Sequence, residues 1–305
     1  MNYLANRRRF IKHSTILALG SALSRHSLAS NTLKRIIPSS GEMLPVIGMG
    51  SSRTFDVQLT ATLRTQLKQV LSIFFSSGGA LVDSSPMYGL AEMVLGTLHP
   101  SVQGSSQMFG ATKVWTEGKN EGIAQMQQSM ERMAVTAFDL IQVHNLVDWK
   151  TQLSTLQNWK GKNKVRYIGI TTSHRQKHNE VEAVMRNEAI DFVQFSYNIE
   201  NRQAEERLLP LAQERGIATL INRPYQMGKL FKKSKNKALP DLAQELNCES
   251  WGQFYLKFIL AHPAVTCLIP ATAKPSHMRD NMGAGFGAVP GTRQREEMLR
   301  IYHSL

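Results

Sequence analysis

Between residues 44 and 272 the chain repeats one unit eight times: a short apolar or β-branched run ending in polar residues, then a stretch of helical periodicity. The runs are LPVIGMG (44–50), ALVDSS (80–85), MFGATKV (108–114), DLIQVHN (139–145), VRYIGIT (165–171), DFVQFSYN (191–198), IATLINR (217–223) and AVTCLIPAT (264–272). Between them, segments such as TATLRTQLKQVLSIFFSS, QMQQSMERMA and RQAEERLLPLAQER space apolar residues three and four apart, as one helix face requires. Gly78-Gly79 and Gly216 stand where those helices have to stop. Strands that alternate with helices pair in parallel, because each crossover helix covers a face of the sheet. Eight units predict an α/β fold, a closed (β/α)8 TIM barrel in a single domain, an architecture of about 250 residues. The competitor, an open doubly wound sheet, usually carries a glycine fingerprint after its first strand. Here GMGSSR lacks the third glycine at the right place.

In such a barrel the polar residues that end the strands share one rim, and active residues gather there. Asp83 ends the second run and Tyr88 lies in the loop after it; Lys113 ends the third run in ATKVW, and His144 the fourth in IQVHN. Taken singly, the aspartate reads as a turn former, the tyrosine as packing and the histidine as a satisfied structural residue. Lys113 is harder to dismiss, since an unpaired buried ammonium is costly. Together the four make coherent chemistry. A carbonyl that accepts hydride develops negative charge on oxygen and needs a nearby proton donor. Free tyrosine titrates near pH 10, and an adjacent Lys⁺ favours the phenolate and lowers that value. Asp83 is positioned to fix the ammonium, and His144 to orient the carbonyl.

These segments resemble the aldo-keto reductases. VDSSPMYGLAEMVLG, with Gly89, Glu92 and Gly96, is similar to the family's Asp-to-Tyr segment, ATKVW to its lysine strand and DLIQVHN to its histidine strand. The likeness covers about residues 40–285 and implies an Asp-Tyr-Lys-His tetrad on a barrel that uses NADPH or, less often, NADH. It implies an NAD(P)H-dependent oxidoreductase that reduces a small aldehyde or ketone, with Tyr88 as proton donor, Lys113 and Asp83 tuning it and His144 orienting the carbonyl. Gln194 would bind the nicotinamide carboxamide, over a floor shaped by Tyr197 and Asn198. Thr172 and Arg223 would join the cofactor set, and Thr272, Lys274, Arg279 and Asn281 would hold the adenosine end. The chain also departs from the family. Thr171-Thr172 replaces Ser-Asn, Asn222 replaces an aromatic that often stacks on nicotinamide, and Ala271 and His277 replace a lysine and an arginine. Lys274 and Arg279 can substitute for the last pair, since an arginine fork suits phosphate. NADPH is therefore expected, with NADH as the alternative. The family also includes cofactor-binding regulatory or sensor proteins with little turnover, the competing reading. Trp115, Trp149 and Tyr225 are candidates to line a mostly apolar substrate pocket.

The N-terminus reads as an address. In NRRRFIKHSTILALGSALS a basic cluster precedes an apolar run too short to span a bilayer comfortably. Arg7-Arg8, then Arg9, Phe10, Ile11 and Lys12, resembles the twin-arginine export signal of bacteria. The expected organisation is a signal peptide over 1–30, a linker over 31–39 and the barrel over 40–305. The chain would be exported by the twin-arginine machinery, to a bacterial periplasm, without a stable membrane anchor. The formal charge of +13 partly reflects this tail. Residues 1–30 hold five basic residues and no acid, and without them the charge is +8. The remaining cations are scattered except in LFKKSKNK (230–237), which reads as a solvated loop, so nucleic-acid binding is not expected. Cys248 and Cys267 have no metal-ligand spacing, and no metal is expected; Cys267, inside VTCLIP, reads as a small core residue.

Overall fold

The computed structural model describes residues 32–305. Eight parallel strands follow one another around the sheet: β3 (Met49–Gly50), β4 (Leu81–Asp83), β5 (Phe109–Val114), β6 (Phe138–His144), β7 (Val165–Thr171), β8 (Phe192–Ser196), β9 (Ala218–Asn222) and β10 (Cys267–Leu268). Parallel bridges Ile47↔Leu268 and Gly50↔Ala271 bring the last strand back to the first and close the barrel. Seven of the eight predicted runs contain their strand, and β6 begins one residue before its run, at Phe138. The first run does more than expected. Its first residues, Leu44 and Pro45, together with Met43 before them, form β2 (Met43–Pro45), which pairs antiparallel with Lys34–Ile36 (β1), inside the stretch read as a linker. This hairpin buries Ile37 and Leu44 against the barrel's inner cluster. Arg35 of β1 donates to the His262 carbonyl at 2.8 Å and to those of Leu260 and Val265, past the end of helix Trp251–Leu260. Carbonyls at a helix end lack intrahelical donors, and the guanidinium supplies them.

Side chains alternate along a strand, so every second residue faces inward. Phe109 and Ala111, Leu140, Tyr167 and Phe192 belong to the inner cluster. Three of these form an aromatic layer, with ring centroids 5.8 Å (Phe109–Tyr167), 5.5 Å (Tyr167–Phe192) and 6.1 Å (Phe109–Phe192) apart. The same alternation sends Lys113, Gln142, His144 and Gln194 inward, toward the mouth above this floor. Gly169 is required between Tyr167 and Thr171: a Cβ there would lie 2.4 Å from the Phe192 carbonyl oxygen.

Helices cover the outside of the sheet. Gly216 ends helix Leu208–Arg215 with φ +63, the left-handed cap expected of it. Residues 230–237 are not a plain loop, as read from the sequence. They open with a short helix, Leu230–Lys233, that buries Leu230 and leaves its lysines outside. Cys248 and Cys267 are both buried and unpaired. No helix among the described residues is long and apolar enough to cross a membrane.

Candidate active site

The end of β4 starts the site. Asp83 is buried, and its Oδ2 accepts from Lys113 Nζ at 2.7 Å. Asp83 and Ala111 are register partners across β4 and β5, which puts Lys113 two residues further along the same face. The ammonium also donates to the Ser84 carbonyl at 2.7 Å and lies 5.2 Å from the centre of the Tyr88 ring. Tyr88 meets His144 edge to face, with centroids 5.8 Å apart and planes at 89°. The four predicted residues are thus brought together, carried by β4, the loop after it, β5 and β6. Gly89 holds the loop's shape: it has φ +53, and a Cβ would come within 2.1 Å of Asp56 Oδ1, the atom that accepts from Leu90 N–H at 2.9 Å.

The electrostatics follow from depth. Burial works to lower the Lys113 pKa, but Asp83 and Tyr88 outweigh it and the net direction is up, so the ammonium stays charged. Burial pushes the Tyr88 phenol above its ordinary value; the Lys113 charge pulls it down, Asp83 pushes it up and Arg223 pulls it down. The expectation of a depressed tyrosine is therefore corrected in its net sign. Lys113 restrains a rise caused by desolvation without reversing it. Burial, with the charges of Lys113 and His174, pushes His144 down to about 2, so its imidazole is neutral. Its Nδ1 sits 3.0 Å from Ser85 Oγ, which itself accepts from Met87 N–H at 3.4 Å. The serine hydrogen is free to donate to Nδ1, an arrangement that puts the imidazole proton on Nε2.

Gln194, on β8, is buried, and Thr171 Oγ donates to its Oε1 at 2.8 Å. Its orientation is thereby set, and its Nε2 is left buried without a partner. Asn222 ties three strand ends together: its Nδ2 donates to the Thr172 carbonyl at 3.1 Å and its Oδ1 accepts from Ser196 Oγ at 2.5 Å. The Thr172 hydroxyl accepts from His174 N–H at 3.0 Å. Arg223 follows Asn222 and donates to the carbonyl of Ser173 at 2.9 Å and to its hydroxyl at 3.2 Å.

A sequence model described as the aldo/keto reductase family matches residues 46–290. The chain belongs to that family. Among similar proteins, an uncharacterized oxidoreductase of Schizosaccharomyces pombe is 28% identical over 159 residues, covering 51% of this chain and 50% of that one. The aldo-keto reductase YhdN of Bacillus subtilis is 26% identical over 159 residues, 47% of each chain. The chain thus spans about half the length of the curated relatives it matches. An aldo-keto reductase of Klebsiella pneumoniae, solved with NADPH, superposes with a TM-score of 0.73 at 19% identity, over 89% of this chain and 96% of that one.

The remaining residues expected of the family divide between two places. Asn198 lies at the mouth, where its Nδ2 donates to the Arg223 carbonyl at 3.0 Å. Tyr197 does not shape the floor there. It belongs to the outer cluster, near Phe258, with its hydroxyl donating to Glu205 at 2.7 Å. Its position one residue past inward-facing Ser196 accounts for this. Beyond β10, Thr272 Oγ accepts from Lys274 N–H at 3.1 Å and Pro275 opens helix Pro275–Gly283. Asn281 is buried and accepts from the Tyr225 hydroxyl at 2.7 Å. The Lys274 and Arg279 side chains are exposed. Of the three aromatics expected at the pocket, Trp115 is 42% exposed, whereas Trp149 and Tyr225 pack against the outer cluster.

Sequence reading passed over Ser85 and Gln142. Gln142 is buried and its Nε2 approaches Asp83 Oδ1 at 3.4 Å. It precedes His144 by two residues on the same strand, and that spacing was a usable signal.

Proposed function

We propose that the chain is an NADPH-dependent reductase of small aldehydes or ketones, with NADH as the alternative cofactor. The observation that carries this reading is the buried Asp83–Lys113 pair beneath a tyrosine that faces a neutral histidine. The Tyr88 hydroxyl is the proton donor to the carbonyl oxygen. The neutral His144 donates from Nε2 to the same oxygen and orients it, held by Ser85 on its other nitrogen. Lys113, fixed by Asp83 and the Ser84 carbonyl, supports the negative charge that the phenol acquires as its proton leaves. The residues present fit a nicotinamide, because the unpartnered Gln194 Nε2 is a donor suited to a carboxamide oxygen. Thr172 and Arg223 flank it, and Lys274 and Arg279, with Thr272 and Asn281, suit the adenosine end. The bound dinucleotide supplies the hydride. The NADPH present in the Klebsiella relative supports the choice of cofactor.

The test is oxidation of NADPH by the purified chain with a panel of small aldehydes. Tyr88→Phe should bind cofactor like the parent and lose about 10²–10⁴-fold in turnover, the usual contribution of a general acid. Full turnover by this variant would refute the assignment. A regulatory protein with little turnover is the second reading, favoured by Asn222 standing where an aromatic often supports the nicotinamide; failure of the parent to turn over any aldehyde despite bound NADPH would select it. Export by the twin-arginine route to a periplasm is also part of the proposal. The residues that motivate it, Arg7 to Leu23, lie outside the described ones.

A further inference from the structure

The turn that carries Tyr88 runs directly into helix Ala91–Leu98, whose second residue, Glu92, is a buried carboxylate that the tetrad does not use. Its Oε1 accepts from Thr112 Oγ1 at 2.6 Å and its Oε2 from Ser129 Oγ at 3.1 Å, with Arg132 Nη1 further off at 4.0 Å. Thr112 stands on β5 immediately before Lys113. Strand alternation sends Thr112 outward, under the helix, and Lys113 inward to the site. Ser129 and Arg132 belong to helix Lys119–Arg132. The two helices pack so closely that a Cβ on Gly96 would lie 2.0 Å from the Arg132 carbonyl oxygen. Glu92 therefore has two arms, one reaching the strand that carries the ammonium and one reaching a neighbouring helix away from it.

The link to the chemistry is short. Tyr88 N–H donates to the Ser85 carbonyl at 3.0 Å, and the Tyr88 carbonyl accepts from Ala91 N–H at 3.0 Å, so the turn closes on itself and moves with the start of the helix. The path from phenol to ammonium runs along the chain to Glu92, across one hydrogen bond to Thr112, and on to its neighbour Lys113. A carboxylate is an expensive way to fill a buried position, since apolar residues of similar shape do so at no loss of stability. Burial pushes the Glu92 carboxyl above its ordinary value; the hydroxyls of Thr112 and Ser129 and the charges of Arg132 and Lys113 pull it down. The Lys113 charge is thus felt at Glu92 from the far side of β5. Resting on the reductase reading, we propose that Glu92 is a positioning residue for proton transfer. Its hydrogen bond to Thr112 fixes the start of helix Ala91–Leu98 to β5, and so sets the Tyr88 phenol in register with the Lys113 ammonium. The Ser129 arm anchors the helix without reaching the site.

The experiment cuts the two arms separately and reads kcat, KM and melting temperature, with the aldehyde that the parent turns over fastest. Thr112→Val keeps the side-chain shape and removes the hydroxyl. It should lower kcat by about tenfold, as small misplacements of reacting groups do, while aldehyde KM and NADPH affinity change little. Thr112→Ser keeps the hydroxyl and should keep most of kcat. Ser129→Ala should lower the melting temperature and leave kcat within about twofold of the parent. The double variant Glu92→Leu/Thr112→Val should be no slower than the slower of its two singles, because both remove the same bond. Equal effects of Thr112→Val and Ser129→Ala on kcat would make Glu92 a structural residue and overturn the inference, and this comparison stands even where Glu92→Leu fails to fold. Losses of kcat that add in the double overturn it as well. Turnover by the parent with kcat unchanged in Thr112→Val overturns the inference alone, whereas no turnover of any aldehyde overturns the reductase reading and this inference with it.

Discussion

Lys113 and Asp83 are exposed by 0% and 3% of their side chains, and their charged atoms are 2.7 Å apart. Lys113→Met removes the ammonium and strands the carboxylate, whose other side-chain contact is the long 3.4 Å approach of Gln142. Asp83→Asn strands the ammonium instead, leaving it the Ser84 carbonyl. Breaking a buried pair from one side costs about 3–5 kcal/mol, because an uncompensated charge stays in a medium that solvates it poorly. At about 2–4 °C per kcal/mol for a chain of this size, each single variant should melt roughly 6–20 °C below the parent. The double variant Asp83→Asn/Lys113→Met buries no charge and should recover to within about 1 kcal/mol of the parent, or exceed it.

The pH dependence gives the two single variants opposite signs. A stranded carboxylate is relieved by taking up a proton, so the Lys113→Met deficit should shrink as pH falls. A stranded ammonium is relieved by losing one, so the Asp83→Asn deficit should shrink as pH rises. Urea unfolding followed by circular dichroism at about pH 5 and about pH 8.5 reads both effects. All three variants should be poor catalysts, including the stable double. If the single losses stay under about 1 kcal/mol, or simply add in the double, the pair is not the buried unit described and its role under Tyr88 has to be abandoned.

His144, held down to about 2, takes no proton in the native state while the unfolded chain binds one below about pH 6.5. Its folded value lies below its unfolded one, so stability should fall as pH drops from about 6.5, by up to about 1.4 kcal/mol per unit from this group, and His144→Asn should flatten that slope in urea titrations. Gln194→Met removes a buried donor that lacks a partner and, with it, the acceptor of the buried Thr171 hydroxyl; the two effects oppose each other, so the cofactor-free chain should stay within about 1–2 kcal/mol of the parent, while NADPH binding weakens by about tenfold in a fluorescence titration. Replacing Arg7 and Arg8 by Lys keeps the charge and loses the guanidinium geometry, so a folded, active precursor should stay inside the cell in fractionation, whereas export like the parent would refute the twin-arginine proposal.

The barrel was legible because parallel strands are buried on both faces, so each reads as an apolar run between helical stretches. The tetrad was legible for a related reason: strand ends fix where Asp83, Lys113 and His144 point, and only an ion pair makes a lysine inside ATKV tolerable. The hairpin was not anticipated, although Pro38-Ser39-Ser40-Gly41 carries turn chemistry between Ile36 and Met43, and Gly41 adopts φ +79. Two residues of its other strand, Leu44 and Pro45, were absorbed into the first barrel run because LPVIGMG is apolar without a break.

What escaped the sequence depended on depth and on distant partners. The Lys113 charge beside Tyr88 was readable and its downward pull was right, but the net direction of the pKa belongs to burial, which no local motif reports. Ser85 gives no signal until folding sets it beside His144, 59 residues away, where its hydroxyl meets Nδ1 and holds the ring. Gln142 and Gln194 each bury one amide atom without a partner, Oε1 in the first and Nε2 in the second. A core selected for stability alone would replace such groups with apolar residues of similar shape, because an unmet buried polar atom costs about 1–3 kcal/mol. Both lie on inward-facing positions near the mouth, on β6 and β8, with β7 between them. Stability is thus given up where the barrel would receive its cofactor and substrate, and the continuous apolar floor of Phe109, Tyr167 and Phe192 lies beneath to offset it.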